Sequence, residues 1–592
     1  MFLRKHVRVK DGKRHEYWTL VETYRTAKGP RQRIVSYLGD LTEESQSGYN
    51  ELVRQVAGND QTKQQELFEV IKPGEPVSVY PERIRVERVR DFGDSWIGTS
   101  LWRKLQLDKF FNEQIIDGRQ SVPWGDMICY LAVSSFCEQS SELRIAERLS
   151  QQNALSDILN IKDYQINETR LYRTLDKLWQ CKDKLSEHLR QRYGELFGIS
   201  YDILLYDITS TYFEGSCAGN PQAQYGYSRD KRGDCRQVLV ALIVTKEGFP
   251  LNFEVFDGSR GDVTTVKEIV QKIESTYGQS ERIWVMDRGM VSEANLTWLR
   301  KRGAKYLVGT PKGMLKKFEK ELLSKGWKEA ESGVEVKLVK CLDGSDEVFV
   351  LCRSAARKEK EQAIFRRFLV RIEEGLQALQ VATLRATRPL KNRDLLQRKI
   401  GALLQKNTRA ARLFEVTVES IQEGNKEQLR LSWIKKETVD DWVELATGCY
   451  LLRTNISSKL SAEEMWKAYI GLTEVEAAFR SLKSELKLRP VFHQKEERVK
   501  AHIFVCFLAL ILLRTFEHAL NKAGLGRSVR KVIQEFRSVK SLDVILPTTS
   551  GAELKLKIIS EPEPSLRILM QHAKINMPLR LEKHQNYLEL AQ

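Results

Sequence analysis

The chain has 592 residues, 42% of them hydrophobic and 30% charged, which excludes a disordered or fibrous protein and leaves room for several globular domains. Lys and Arg exceed Asp and Glu by 96 − 79 = 17, so a polyanion, with nucleic acid the default, is the first partner to consider; charge alone leaves open a basic protein with no such partner. The nine cysteines form no C-x-x-C pair and read as reduced cytosolic thiols, not as a disulfide framework or zinc site.

The N-terminus, MFLRKHVRVK, has no apolar signal core. Residues 1–45 read as a basic β-meander with turns at Asp11-Gly12 and near Lys28-Gly29-Pro30. Ten basic residues against three acidic ones between Arg4 and Arg33 fit a DNA-touching arm or a solvated hairpin equally. Residues 46–90 are polar and read as helix plus linker, and 91–198 as helical, with apolar residues at three- and four-residue spacing. Those helices serve DNA binding or simple packing.

At Ile199 the pattern changes. ISYDILLYDITSTYF is a nearly continuous apolar, β-branched run, expected as a buried strand. QVLVALIVT and LNFEVFD follow as strands joined at Glu247-Gly248. Asp262 is expected to cap a helix ended by Gly278, and ERIWVMD, SEANLTWLRKR and AKYLVGT read as strand, helix and strand. This is a mixed α/β order over 199–310 that matches the ribonuclease-H-like fold. Residues 311–446 interrupt it with four strands and two charged helices, roughly Ala356–Leu379 and Arg393–Arg412, read as a β-rich inserted subdomain. The core resumes over 447–524 with the strand GCYLLRTN and a helix from Ser461 to about Leu488, opened by an S-x-x-E capping box with Glu464 and stopped by Pro490. The longest apolar run, Ile503 to Leu513, is too short to span a bilayer and reads as a buried helix, so no membrane partner is expected. Residues 525–592 mix a basic helix with short strands.

Three acids stand where acids are unexpected. Asp207 ends the run DILLYD and Asp287 ends IWVMD. A carboxylate at the edge of a buried strand is costly unless it is paired or binds a cation, although a strand-ending Asp often only caps a turn. Glu476 is spaced by seven from both Tyr469 and Lys483. At about 100° per residue, the three share one helix face beside Leu472 and Phe479, with Glu474 and Glu485 roughly opposite. That face reads as partly buried and functional, or as a Glu–Lys surface of a charged helix. Carboxylates converging from two strands and a helix suit two Mg²⁺, or Mn²⁺, for in-line phosphoryl transfer. No Gly-x-x-x-x-Gly-Lys motif is present, so no nucleotide cofactor is expected, and none of the eight histidines has zinc-ligand spacing.

YDITSTYFEG, WVMDRGM and VEAAFRSLK resemble the segments around the three catalytic acids of DDE transposases of bacterial insertion sequences. The resemblance is to the insertion-sequence family-four superfamily, with its Tyr-x2-Arg-x3-Glu-x6-Lys signature. Here those positions are Tyr469, Leu472, Glu476 and Lys483, so Leu472 replaces the Arg. The spacing of 189 positions from Asp287 to Glu476 fits that superfamily's β-rich insertion. The resemblance implies cut-and-paste transposition by metal-dependent cleavage and strand transfer, in many members through hairpin ends. It implies that Asp207, Asp287 and Glu476 ligate metal and that Tyr469, Arg480 and Lys483 contact phosphates, with Arg288 a further DNA contact. It offers Tyr450 as the aromatic that stacks on a flipped base, a core role being the alternative. The implied partners are transposon terminal inverted repeats and target DNA, and the implied assembly is a homodimer, with 525–592 as dimerisation or end-binding element. The implied location is the cytoplasm, at the bacterial nucleoid. A ribonuclease-H-like nuclease or resolvase, or a catalytically silent DNA-binding derivative, are the competing readings.

Overall fold

The computed structural model describes residues 2–10, 13–26, 29–39, 78–116, 118, 120–278, 282–341, 346–385, 389–423, 426–436, 441–456, 460–526, 529–549, 551–580 and 588–590. The expected turn at Asp11-Gly12, Lys28 of the second turn, and the stretch 46–77 lie outside the described residues.

In chain order the strands are β1 (Phe2–Lys10), β2 (Lys13–Thr26), β3 (Gly29–Gly39), β4 (Arg85–Asp91), β5 (Ile203–Tyr212), β6 (Gln237–Thr245), β7 (Pro250–Asp257), β8 (Ile283–Met286), β9 (Lys305–Gly309), β10 (Lys328–Glu331), β11 (Val334–Lys340), β12 (Val348–Ser354), β13 (Phe414–Glu423), β14 (Lys426–Lys435), β15 (Cys449–Thr454), β16 (Lys540–Pro547), β17 (Ala552–Ile559) and β18 (Leu588–Leu590). The helices used below are α1 (Gly93–Lys104), α2 (Trp124–Cys137), α3 (Glu168–Leu178), α4 (Lys182–Phe197), α5 (Val266–Tyr277), α6 (Glu293–Lys301), α7 (Ala355–Leu384), α8 (Arg393–Lys406), α9 (Ala462–Ile470), α10 (Leu472–Arg480), α11 (Glu496–Lys522) and α12 (Val529–Phe536). The chain is mixed α/β and divides into two compact units, Met1–Arg282 with Gly471–Gln592, and Ile283–Ile470.

In the first unit β1, β2 and β3 form the expected antiparallel meander. β5, β6 and β7 form a second one, whose middle strand is buried along its whole length, as its unbroken apolar sequence requires. Gly248 turns β6 into β7 with φ at +86°, a conformation that costs glycine nothing. Helix α11 is apolar on every side and packs against α2, α3 and β7. Phe507 and Phe504 meet Phe253 at 4.7 and 5.5 Å between ring centroids, and Phe516 meets Phe136 at 6.4 Å. Helix α11 is long and apolar enough to cross a membrane, yet 89% of its most apolar stretch is buried inside the protein, the behaviour of a core helix.

Residues 85–91, read from sequence as part of a linker, form strand β4. It pairs antiparallel with β16, giving the sheet order β18–β17–β16–β4. Most of β4 is exposed, so its sequence lacks the apolar alternation that marks a half-buried strand.

In the second unit the strand order is β10–β11–β12–β15–β9–β8, antiparallel throughout except for the parallel pair β8 and β9 that flanks α6. Ser292 caps α6, its hydroxyl accepting from Asn295 N at 3.1 Å. A buried cluster ties this unit together: Glu347 accepts from Arg453 Nη2 at 2.7 Å and pairs with Arg300 at 2.6 Å and with Tyr306. Among the described residues strands β13 and β14 pair only with each other, and they pack on the 30-residue α7 and on α8. Ile372, Leu376, Leu396, Ile400, Leu413 and Leu431 make a core there. The long α7 runs five residues beyond the sequence expectation and α8 ends six residues short of it, at Lys406.

Candidate functional site

Asp207 does not end its strand. β5 continues to Tyr212, and Asp207 sits opposite Leu242 of β6 within an unbroken antiparallel register. The residues after it, Ile208 through Thr211, are buried and mostly β-branched and carry the strand onward. The Asp207 side chain is half-buried and its Oδ1 accepts from Ile208 N at 2.8 Å.

The expected single helix from Ser461 to Leu488 is broken. Its capping box forms, with Ser461 N donating to Glu464 Oε2 at 2.8 Å and Glu464 N to Ser461 Oγ at 3.2 Å. The helix is then interrupted at Gly471 and widens to a π-turn over Ser481–Glu485. Even spacing over seven residues at 100° therefore does not hold across Tyr469, Glu476 and Lys483. Tyr469 belongs to the second unit, and Glu476 and Lys483 to the first.

Within the first unit α10 packs on β5. Its Glu476 is exposed, not partly buried, and its carboxylate meets no hydrogen-bond or ion-pair partner among the described residues. The alternatives are occupied. Glu474 pairs with the buried Arg514, and Glu485 accepts from Ser481 Oγ at 3.4 Å. Leu472 opens α10 half-buried and Arg480 closes it exposed. Lys483 donates to Asp230 Oδ1 at 2.9 Å, and Arg489 pairs with the same carboxylate. Burial and the Arg229 guanidinium pull the Lys483 ammonium down to about 8, while Asp207 favours its charged form.

In the second unit Asp287 follows β8 directly and opens the turn Arg288–Met290; Asp287 and Arg288 are both exposed. They line a cavity of about 890 Å³ together with Tyr450 and Tyr469. Arg288, Lys312, Arg357, Arg366, Arg409 and Arg412 give the cavity six basic side chains. Glu361 of the same wall pairs with Lys312 at 2.7 Å and Arg357 at 3.2 Å, whereas Asp287 pairs with none of the described residues. Tyr469 approaches Gly309 so closely that a Cβ there would lie 2.3 Å from the phenol oxygen. Burial and the neighbouring Asp287 charge push the Tyr469 phenol well above its ordinary range, so at neutral pH it remains a hydrogen-bond donor. Tyr450 accepts from Trp466 Nε1 at 2.6 Å and carries the Arg357 guanidinium 4.6 Å from its ring centre. A base stacking on that face would take the place of Arg357.

The donor chemistry suits divalent metal. All three acids offer only oxygen, the set that favours Mg²⁺ or Mn²⁺ over softer ions. Among the described residues Asp287 has no ion-pair partner in a cavity lined by six basic side chains, and Glu476 has none while its neighbour Glu474 is engaged, which leaves both carboxylates accessible to a cation. Asp230, Arg489, Lys312 and Arg357 escaped sequence reasoning, since isolated charged residues in loops and charged helices carry no periodic or motif signal.

Residues 199–512 match the family described as transposase DDE domain, and residues 3–66 match the IS1634 family transposase N-terminal domain. No curated protein matches the chain. Among solved structures, the piggyBac transposase synaptic complex with hairpin DNA is similar at a TM-score of 0.35 and 10% sequence identity, over 78% of this chain and 82% of that one.

Proposed function

This chain belongs to the family of transposases with a DDE domain, and we propose that Asp207, Asp287 and Glu476 are the carboxylates that hold its divalent ions. It is an enzyme of DNA transposition, a polynucleotidyl transferase of an insertion sequence. The observation that carries the assignment is the unpaired Asp287 carboxylate in a cavity lined by six basic side chains. These carboxylates would hold two divalent ions, Mg²⁺ or Mn²⁺, which would supply activation of the attacking oxygen and stabilisation of the leaving one.

The remaining groups bind and orient DNA. Arg288 and the basic side chains around it receive the phosphates next to the scissile bond. Tyr469 donates its phenol proton to a phosphate oxygen. Lys483 and Arg480 extend the contact from α10 and the turn after it, with Asp230 holding Lys483 in place. Leu472 removes the contact made by the family's Arg, so any hairpin step depends on the other groups. The cavity face of Tyr450 receives an extruded base once Arg357 moves aside.

At the level of architecture, the antiparallel trio β5–β6–β7 and the parallel pair β8 and β9 support a ribonuclease-H-like core over 199–310 and 447–524, with 311–446 inserted. The basic meander of 1–45 and the helices of 91–198, joined by the linker 46–90, then grip the terminal repeats, and 525–592 serves a homodimer that synapses two ends. The enzyme acts on DNA in the bacterial cytoplasm.

Purified protein incubated with its own flanking repeats and Mg²⁺ or Mn²⁺ is expected to nick at the ends and join them to target DNA. Asp287→Ala and Asp207→Asn bind the ends but do not cut. Cutting by these variants at the wild-type rate would refute the assignment.

A further inference from the structure

Outside the carboxylate centre, the first unit gathers three metal-ligating side chains that no sequence spacing announces. Glu142 opens the short helical turn Glu142–Arg144, capped by Ser141. His493 lies in the connection that leads into α11. That connection is anchored to β5, with Val491 N donating to Tyr212 O at 2.9 Å and Glu214 N to Val491 O at 3.0 Å. His502 sits near the start of α11. One carboxylate oxygen and two imidazole nitrogens from these segments lie within 4.8 Å of one another.

The distances fit donors placed around one ion. His493 Nε2 is 3.4 Å from Glu142 Oε1. A charge-assisted hydrogen bond between these groups would close to about 2.7–2.9 Å. Donors on one tetrahedral ion, with bonds of about 2.0–2.2 Å, stand about 3.3–3.5 Å apart. The two imidazole rings are 5.5 Å apart between centroids. The side chains are sheltered, with 12% of His493 and 10% of Glu142 exposed. Cys506 Sγ is 3.8 Å from His502 Nε2, and the Tyr172 ring meets His493 edge-on at 6.1 Å.

We propose that Glu142, His493 and His502 form a second metal site that takes one divalent ion of the zinc class. Two nitrogens and one oxygen favour Zn²⁺, Co²⁺ or Ni²⁺ over Mg²⁺ and Mn²⁺, the reverse of the preference of the all-oxygen set Asp207, Asp287 and Glu476. The bound ion ties a turn of the helical region to α11 and to the connection that borders the strand bearing Asp207. Its role is to position that connection, not to take part in strand cleavage.

The test is zinc titration of the full-length, metal-stripped protein in an Asp207→Asn background, which disables the proposed catalytic centre. Bound zinc is counted by elemental mass spectrometry and affinity read by calorimetry. One equivalent is expected to bind in the presence of excess Mg²⁺, and His493→Gln and His502→Gln are each expected to weaken it about a hundredfold or more. Where a histidine variant fails to fold, Co²⁺ added to the Asp207→Asn protein supplies the readout. A visible spectrum of tetrahedral type that zinc bleaches is expected. No equivalent of bound zinc, undiminished binding by both histidine variants, or no such cobalt spectrum overturns the proposal and leaves the assignment of the catalytic acids untouched.

Discussion

Glu474 and Glu476 are two residues apart on α10, and the structure separates their roles sharply enough to test by exchanging each for Gln. Glu474 is bound by Arg514, whose side chain is 7% exposed and which also donates to the Gly248 carbonyl at 3.0 Å. Glu474→Gln removes the charge facing a buried guanidinium, which keeps the Glu517 carboxylate and the Gly248 carbonyl as partners. A hydrogen bond to a charged group contributes about 1.5–3 kcal/mol, and a loss of that size is expected in urea unfolding, with the midpoint lowered and the slope unchanged. Glu476 has no partner among the described residues to lose, so Glu476→Gln is expected to change stability by less than about 0.5 kcal/mol. Its effect falls on chemistry. Metal stabilisation of the transition state contributes several kcal/mol, and at about 1.4 kcal/mol per factor of ten this predicts a loss of about a thousandfold or more in end cleavage. Glu474→Gln retains cleavage at temperatures where it stays folded. A folded, fully stable Glu474→Gln protein that has lost cleavage as completely as Glu476→Gln would refute the assignment.

Three further outcomes follow from particular contacts. Tyr450→Phe leaves the indole Nε1 of the buried Trp466 without its acceptor and is expected to cost about 1–3 kcal/mol by chemical denaturation. It keeps cleavage, because the ring face remains, whereas Tyr450→Ala reduces it. Gly309→Ala drives a methyl into the Tyr469 phenol and is expected to cost about 1–3 kcal/mol in thermal melts and to slow nicking by displacing that group. Glu347 is buried, and although burial favours its neutral form, the hydrogen bonds from Arg453 and Tyr306 and the charges of Arg453 and Arg300 outweigh this and hold the carboxyl below its ordinary value of 4.5. Its folded form binds protons less readily than the unfolded one, so its stabilisation is complete above about pH 4.5 and is lost as pH falls through the lower folded value. Glu347→Gln should flatten the acid limb of the unfolding curve, and an unchanged limb would exclude this cluster as its source.

Much of the fold was readable because burial leaves a pattern. The unbroken apolar run of β6, the Ser461 capping box and the Glu247-Gly248 turn each follow from a local rule, and each is found where the sequence puts it. Asp262 is a partial miss: it lies in a 3-10 turn and pairs with Arg229, and the helix proper starts at Val266. β4 was missed because an exposed strand has no apolar face to display. The π-turn at Ser481–Glu485 was missed because widening a helix by one residue is set by packing, not by propensity. The three proposed acids stand out in the sequence chiefly as matches to a family signature, because the exposure of Glu476 and the continuation of β5 beyond Asp207 are set by packing that local sequence does not display. The cluster of Glu142, His493 and His502 was not, since chain separation hides a site that only folding assembles.

Helix α11 has one consequence for how the protein is made. Its partners α2, α3 and β7 all precede residue 282, while the helix itself spans Glu496–Lys522, after the whole of the second unit. A ribosome therefore releases some 200 residues of intervening chain before the first unit receives its central helix. During that interval the apolar faces of α2, α3 and β7 stay open to solvent, and chaperones are the expected guests. Nascent chains stalled before residue 496 should be held by such factors and resist native-like proteolysis protection in the 91–282 region. Chains stalled well beyond 522 should gain that protection in a single step. An element that carries none of the proposed catalytic acids thus times the moment at which the first unit of a transposase completes its core.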